Sequence, residues 1–137
     1  MEKQKKVVDA SIIAKLFLNE TGKEKALELK EKHFSSKIRL IVPELLFLEV
    51  LNTLRYKKNE AMSLSKVNEA LFDLQLIIQK IDFSLLEKSI ENAVKYNLTI
   101  YDSVYVSLAQ LHDCEFITAD EELYKIPNAV SLEKISF

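Results

Sequence analysis

Short runs of β-branched and apolar residues alternate along this chain with longer segments of helical period, and no hairpin signature joins two of the runs. Parallel strands need a crossover between them, most often a helix, so this alternation calls for a parallel sheet covered on both faces. The expected fold class is α/β: three layers, α/β/α, around a central parallel sheet of about four to five short strands. No linker, repeat or low-complexity stretch divides residues 1–137, which therefore read as a single domain.

Residues 6–9 (KVVD) read as a short buried strand, and 11–19 as a helix with Ile12, Ile13, Leu16 and Phe17 at helical spacing. A second helix follows Gly22 to about Ser35. Residues 37–42 (KIRLIV) are the next strand, with Pro43 as the first-turn residue of a helix running to about Asn59. Ser63 or Ser65 caps another helix, and a strand is expected near 76–81. Residues 83–96 form an amphipathic helix with Leu85, Leu86, Ile90 and Val94 on one face, ending at Asn97. Residues 101–112 are helical, 115–118 a strand, and a last strand lies near 130–132.

The rarer residue types narrow the chemistry. One cysteine, Cys114, rules out a disulfide framework and a cysteine-rich zinc site, and an intracellular, cytoplasmic location is the natural expectation. A single glycine excludes the phosphate-cradling loops of nucleotide-binding folds, which need several. With two histidines, any metal site must rest chiefly on oxygen ligands, which favours hard divalent cations. Net charge is −2, so nucleic-acid binding would have to come from local clustering. No apolar run approaches the roughly 20 residues needed to span a bilayer, and the basic N-terminus enters a strand rather than a signal-peptide core.

Four acids sit where acids are informative. In open α/β sheets the ligand crevice lies beyond the carboxyl ends of the strands, and Asp9 and Asp120 each terminate a strand-like run, VVD and FITAD. Each could equally cap the turn that follows, with Ser11 and Thr118 as caps or hydroxyl supports. Glu49 lies in the apolar segment LLFLEVL, where an uncompensated carboxylate is costly; it shares a stripe with Leu45, Asn52 and Tyr56. An internal ion pair is the structural alternative. Asp102 opens a helix, where the dipole alone would favour an acid. Taken together, four converging carboxylates would repel strongly unless a divalent cation or a proton sat among them, which points to Mg²⁺ or Mn²⁺ and to phosphodiester hydrolysis.

The segments VVDASIIAKLFL, PELLFLEVLNTL and LTIYDSVYVSLAQLHDCEFITADEEL, in that order, resemble the PIN-domain ribonucleases, and specifically the VapC-type toxins of prokaryotic toxin–antitoxin pairs. The resemblance covers nearly the whole chain. It implies that Asp9, Glu49, Asp102 and Asp120 form the acidic, metal-holding quartet. Ser11, Asn52 and Thr118 then match its supporting polar positions. It further implies Mg²⁺- or Mn²⁺-dependent endoribonuclease activity on RNA, a homodimer, and neutralisation by a small VapB-like antitoxin.

Several expectations follow. Helices 43–59 and 63–76 carry more Leu, Ile and Phe than one core need hide, so an interface is expected there, although both could simply pack on the sheet. Positive residues must flank an acidic site if RNA is to approach. Lys15 is the best candidate, with Arg55, in a cluster with Lys57 and Lys58, as a second; Lys5 and Lys6 also lie near the first acid in sequence. His33 and His112 read as surface or packing residues. Two other readings stay open: a phosphoacceptor receiver-like domain using Asp82, and a non-catalytic module of the same fold.

Overall fold

The computed structural model describes residues 4–57, 63–135 and 137. Five strands, β1 (Gln4–Val8), β2 (Ile38–Pro43), β3 (Ile77–Gln79), β4 (Glu115–Thr118) and β5 (Ala129–Ser131), form one sheet in the order β3-β2-β1-β4-β5, every neighbouring pair parallel. Among the described residues six α-helices accompany them: α1 (Ala10–Ala14), α2 (Lys23–Phe34), α3 (Leu45–Tyr56), α4 (Leu64–Asp73), α5 (Phe83–Tyr96) and α6 (Ile100–Leu111). The α/β architecture is the one expected. The central strands are buried toward their carboxyl ends, Val7, Val8, Phe116 and Ile117 being inaccessible, as parallel strands covered on both faces must be. Helix α6 lies along β1, β2 and β4, and α5 packs on α6.

The strand order matters more than the count. The chain builds outward from β1 through β2 to β3, then returns to the other side of β1 with β4. The reversal falls between β1 and β4, and the crevice beyond their carboxyl ends is where an open α/β sheet places its ligand. Val8 pairs with Ile117 in the β1–β4 register, so the residues that follow, Asp9 and Thr118 to Asp120, emerge side by side.

Three local expectations are corrected. The first helix is α-helical only over Ala10–Ala14; from Lys15 the hydrogen bonds run to the third residue back, Lys15 to Ile12, Leu16 to Ile13, Phe17 to Ala14. This tightened turn lets Ile12, Ile13 and Leu18 all reach the core before the chain doubles back into α2, whose Gly22 N-cap adopts a left-handed φ of 92°. Pro43 ends β2 rather than opening α3, which is preceded by Glu44. At its other end α3 stops at Tyr56, short of the expected Asn59, because Lys57 is already extended at φ −99° and ψ 133°; Lys58 and Asn59 lie outside the described residues.

The third correction concerns α5. Its periodicity is as read, and Asn97 closes it in the left-handed conformation at φ 55°. The face is not: Leu85 is buried with Ser89 and Asn92, whereas Leu86, Ile90 and Val94 point outward with Phe83. A polar network makes that inward face stable. Asn92 Nδ2 donates to Ser107 Oγ (2.8 Å) and to Gln110 Oε1 (2.9 Å), and Ser89 Oγ donates to the Leu85 carbonyl (2.7 Å). The apolar stripe is left unpartnered, with Phe83 79% and Val94 81% exposed.

Candidate active site

Asp9 is both a cap and a site residue, so the two readings of it are not exclusive. It is the N-cap of α1, its Oδ1 accepting from the Ser11 N–H (3.1 Å) and the Ser11 hydroxyl (2.5 Å), while Thr118 Oγ1 donates to Oδ2 (2.5 Å). The same hydroxyls then accept from the neighbouring strand end: Ser11 Oγ from the Ala119 N–H (3.0 Å) and Thr118 Oγ1 from the Asp120 N–H (3.1 Å). Ser11 and Thr118 therefore stitch the ends of β1 and β4 together and fix the Asp9 carboxylate between them. Asp120 in turn caps the 3-10 turn Glu121–Lys125 through the Glu122 N–H (3.0 Å).

Burial dominates the electrostatics. Asp9 is only 8% exposed, and burial raises its carboxyl from 3.8 to about 6 against four opposing hydrogen bonds from Ser11, Thr118 and Ile12. Asp102, one turn into α6 behind its Thr99 cap, is raised first by burial and then by the charge of Asp120, with the Thr99 hydroxyl opposing and Glu122 adding. Glu49 is raised by burial, lowered by a hydrogen bond from Tyr105, and raised by the charge of Asp102. The repulsions run from Glu49 to Asp102 and from Asp102 to Asp120, so these acids lie within electrostatic reach of one another.

Tyr105, read from the sequence only as part of a packing face, stands among them. It follows Asp102 by three residues on the same face of α6, and its hydroxyl donates to Glu49 Oε1 (2.5 Å). Its phenol is pushed far above the ordinary tyrosine range, by burial first and then by the charges of Glu49, Asp9 and Asp102. The one signal for it in the sequence was this spacing from Asp102. Tyr124 is a second such residue: its hydroxyl donates to the Thr118 carbonyl (3.2 Å), and burial raises it, with Asp9 and Asp120 contributing after Glu133 and Glu121.

The remaining predicted positions are more dispersed. Asn52 is exposed, one turn beyond half-buried Glu49 on α3. Arg55 is exposed further along the helix, its guanidinium 5.6 Å from the centre of the exposed Tyr56 ring. Lys15 is engaged in the α1–α2 turn, its side chain 13% exposed and its ammonium donating to the Thr21 carbonyl (2.8 Å), with Glu20 at 3.4 Å. Lys6 is buried and paired with Glu115, which removes it from any RNA-facing surface, and Lys57 lies 3.6 Å from Glu20. His33 is buried and hydrogen-bonded; His112 is partly exposed, its Nε2 enclosed without a partner and its pKa lowered by burial and by Lys5. Asp82 caps α5 through the Leu85 N–H (2.9 Å), next to the outermost strand β3 and away from the β1–β4 crevice.

Whether a divalent cation suits these residues turns on the donor set. Among the described residues, no three Asp, Glu, His or Cys side chains stand close enough to form a ready-made cage. The donors are instead carboxylates and hydroxyls, all hard oxygens, meeting pairwise. That suits a small cation that keeps several waters and takes one or two protein carboxylates at a time, the habit of Mg²⁺. Such an ion would be held by these carboxylates with water completing its shell.

Comparison with known proteins agrees with the topology. The PIN-domain family model matches residues 6–129. A toxin–antitoxin complex from Klebsiella pneumoniae aligns with a TM-score of 0.71 at 22% identity, covering 94% of this chain and 98% of that one. PAE2754 from Pyrobaculum aerophilum aligns at 0.68 and 22% identity over 95% and 90% of the two chains. Mycobacterium tuberculosis VapC20, a sarcin-ricin-loop-cleaving toxin, aligns at 0.69 and 13% identity over 90% and 95%. A sequence comparison with curated proteins gives no significant match. With Asp9 and Asp120 at the β1–β4 reversal of an all-parallel sheet and the family match spanning nearly every element of it, the chain belongs to the PIN-domain family.

Proposed function

We propose that the chain is a Mg²⁺- or Mn²⁺-dependent endoribonuclease, the toxin of a VapBC-type pair. The observation that carries this reading is the stitching of Asp9 to the β4 end by Ser11 and Thr118, with Asp102 within reach of Asp120's charge and Glu49 within reach of Asp102's. Asp9, Glu49, Asp102 and Asp120 would hold the metal. When bound, that ion supplies Lewis acidity toward water and toward the scissile phosphate. The chain itself fixes Asp9, keeps its carboxylate largely out of bulk water, and offers exposed Arg55 to a neighbouring phosphate. Arg55 is the stronger RNA contact of the two predicted cations, because the Lys15 ammonium already has two partners.

The test is cleavage of RNA by the purified chain with Mg²⁺ or Mn²⁺ and with chelator. Cleavage should depend on the cation and be lost in Asp102→Asn with the fold retained. Cleavage persisting in chelator, or undiminished in the variant, would refute the proposal.

Two apolar surfaces suit the partners of such a toxin. On α3 and α4, Leu48, Tyr56, Leu64 and Phe72 are exposed, and Phe72 stacks on Phe47 at 4.7 Å. This surface is assigned to an antitoxin, the class of partner in the Klebsiella complex. The α5 stripe is assigned to a second copy of the chain. Ile90→Glu places a charge at its middle and should convert a two-chain mass in light scattering to one chain that keeps its fold by circular dichroism. A wild-type mass of one chain would remove the homodimer.

No helix among the described residues is long and apolar enough to cross a membrane.

A further inference from the structure

Glu49 approaches Asp102 from α3, an element that carries no other predicted site acid, on a partly exposed side chain with three rotatable bonds. Asp9 is held by two hydroxyls, whereas the side-chain hydrogen bond found on Glu49 comes from Tyr105. The tyrosine is itself closely packed. It is 1% exposed, its ring stacks on Phe116 of β4 at 6.1 Å and 18°, and its backbone is in the middle of α6. The hydrogen bond spans 56 positions of sequence and links the helix that carries Glu49 to the helix that carries Asp102.

We propose that Tyr105 is a positioning residue: its phenol holds the Glu49 carboxylate turned toward Asp102, so that the two acids on different helices act on one cation. This rests on the nuclease reading above. Without the phenol, Glu49 is free to rotate toward water and away from Asp102. Partners that orient metal ligands in this way commonly change metal affinity or activity by about 10–100-fold when removed.

The experiment is a double-mutant cycle of Tyr105→Phe and Glu49→Gln, with Mn²⁺ affinity read by titration calorimetry, kcat and KM read on RNA, and Tm read without metal. Phenylalanine keeps the ring and its stack on Phe116. Tyr105→Phe should weaken Mn²⁺ binding by about 10-fold and lower kcat with the RNA KM unchanged. Added to Glu49→Gln, it should cause no further loss, because the group it acts through is gone. An equal loss in the Glu49→Gln background overturns the proposal, as does a Tyr105→Phe chain with wild-type Mn²⁺ affinity and kcat, even if its Tm falls. If wild type binds Mn²⁺ and cleaves RNA while Tyr105→Phe does the same, only this inference fails; if wild type binds no Mn²⁺, the metal-dependent reading fails with it.

Discussion

Asp9→Asn is expected to raise the metal-free stability of the protein at pH 8 by up to about 3 kcal/mol while abolishing its nuclease activity. The stability gain follows from burial. The Asp9 carboxyl titrates at about 6 in the folded chain, against 3.8 as its ordinary value, so the folded state binds the extra proton between those pH values. A group raised in this way imposes no penalty below about pH 3, where it is protonated in both states. The penalty grows as pH rises through the interval and is complete above about pH 7. Raising a carboxyl from 3.8 to about 6 costs the folded state about 3 kcal/mol once the group is ionised, or a Tm difference of about 10 °C for a domain of this size. Asparagine is neutral at every pH, so the gain should be present at pH 8 and vanish below about pH 3. Thermal melts across that range measure it directly.

The activity arm has the opposite sign. Asparagine keeps the shape and one acceptor oxygen but loses the charge, and cleavage should fall by at least about 100-fold, the scale of losing even a supporting partner of a metal ligand. Mn²⁺ should raise the Tm of wild type and leave that of Asp9→Asn nearly still, since only a ligand that binds the native state shifts its melting. A variant that melts lower than wild type at pH 8 would mean that Asp9 serves purely as the α1 cap.

The second large effect is at His33, far from the acids in function. Its Nδ1 accepts from the Leu40 N–H (3.1 Å), just before the β2–β3 ladder begins at Ile41, so Nε2 carries the proton. Nε2–H faces the carbonyls of Leu74 (3.0 Å) and Gln75 (3.2 Å), in the turn where Gln75 has a left-handed φ of 51°. One imidazole thereby ties α2 to β2 and to the entry of β3, at 6% exposure. His33→Ala leaves a buried N–H without an acceptor and opens a cavity, and should cost about 2–4 kcal/mol. Urea melts should show a lower midpoint at an unchanged slope. A change under about 0.5 kcal/mol would show that the three contacts are replaceable by water.

These two residues show how unevenly the sequence discloses the molecule. Asp9 and Asp120 were legible because a strand end is a position with a meaning: in a parallel sheet, whatever follows the strand enters the crevice. Glu49 was legible because an acid inside an apolar helix demands an explanation. His33 carried no such mark. Its partners are backbone groups at 40, 74 and 75, and backbone groups have no letter in a sequence. Lys15 misled for a related reason, since proximity to Asp9 along the chain says nothing of the Thr21 carbonyl that engages its ammonium.

Periodicity and strand-end chemistry, both local properties of the chain, determined the α/β class, the order of elements from β1 to β5, and the four acids worth watching. Helical period also grouped the α5 residues onto a face, but it could not tell which way that face turns. That depended on whether Ser89 and Asn92 would find partners inside, and Ser107 and Gln110, on another helix, supply them. The same holds at the site: only the folded chain brings the Tyr105 hydroxyl to Glu49 and the Thr118 hydroxyl to Asp9. A hydrogen bond reaches about 3 Å, and contacts of that range between residues 56 or 109 positions apart are set by how elements pack, not by what neighbours them in the chain.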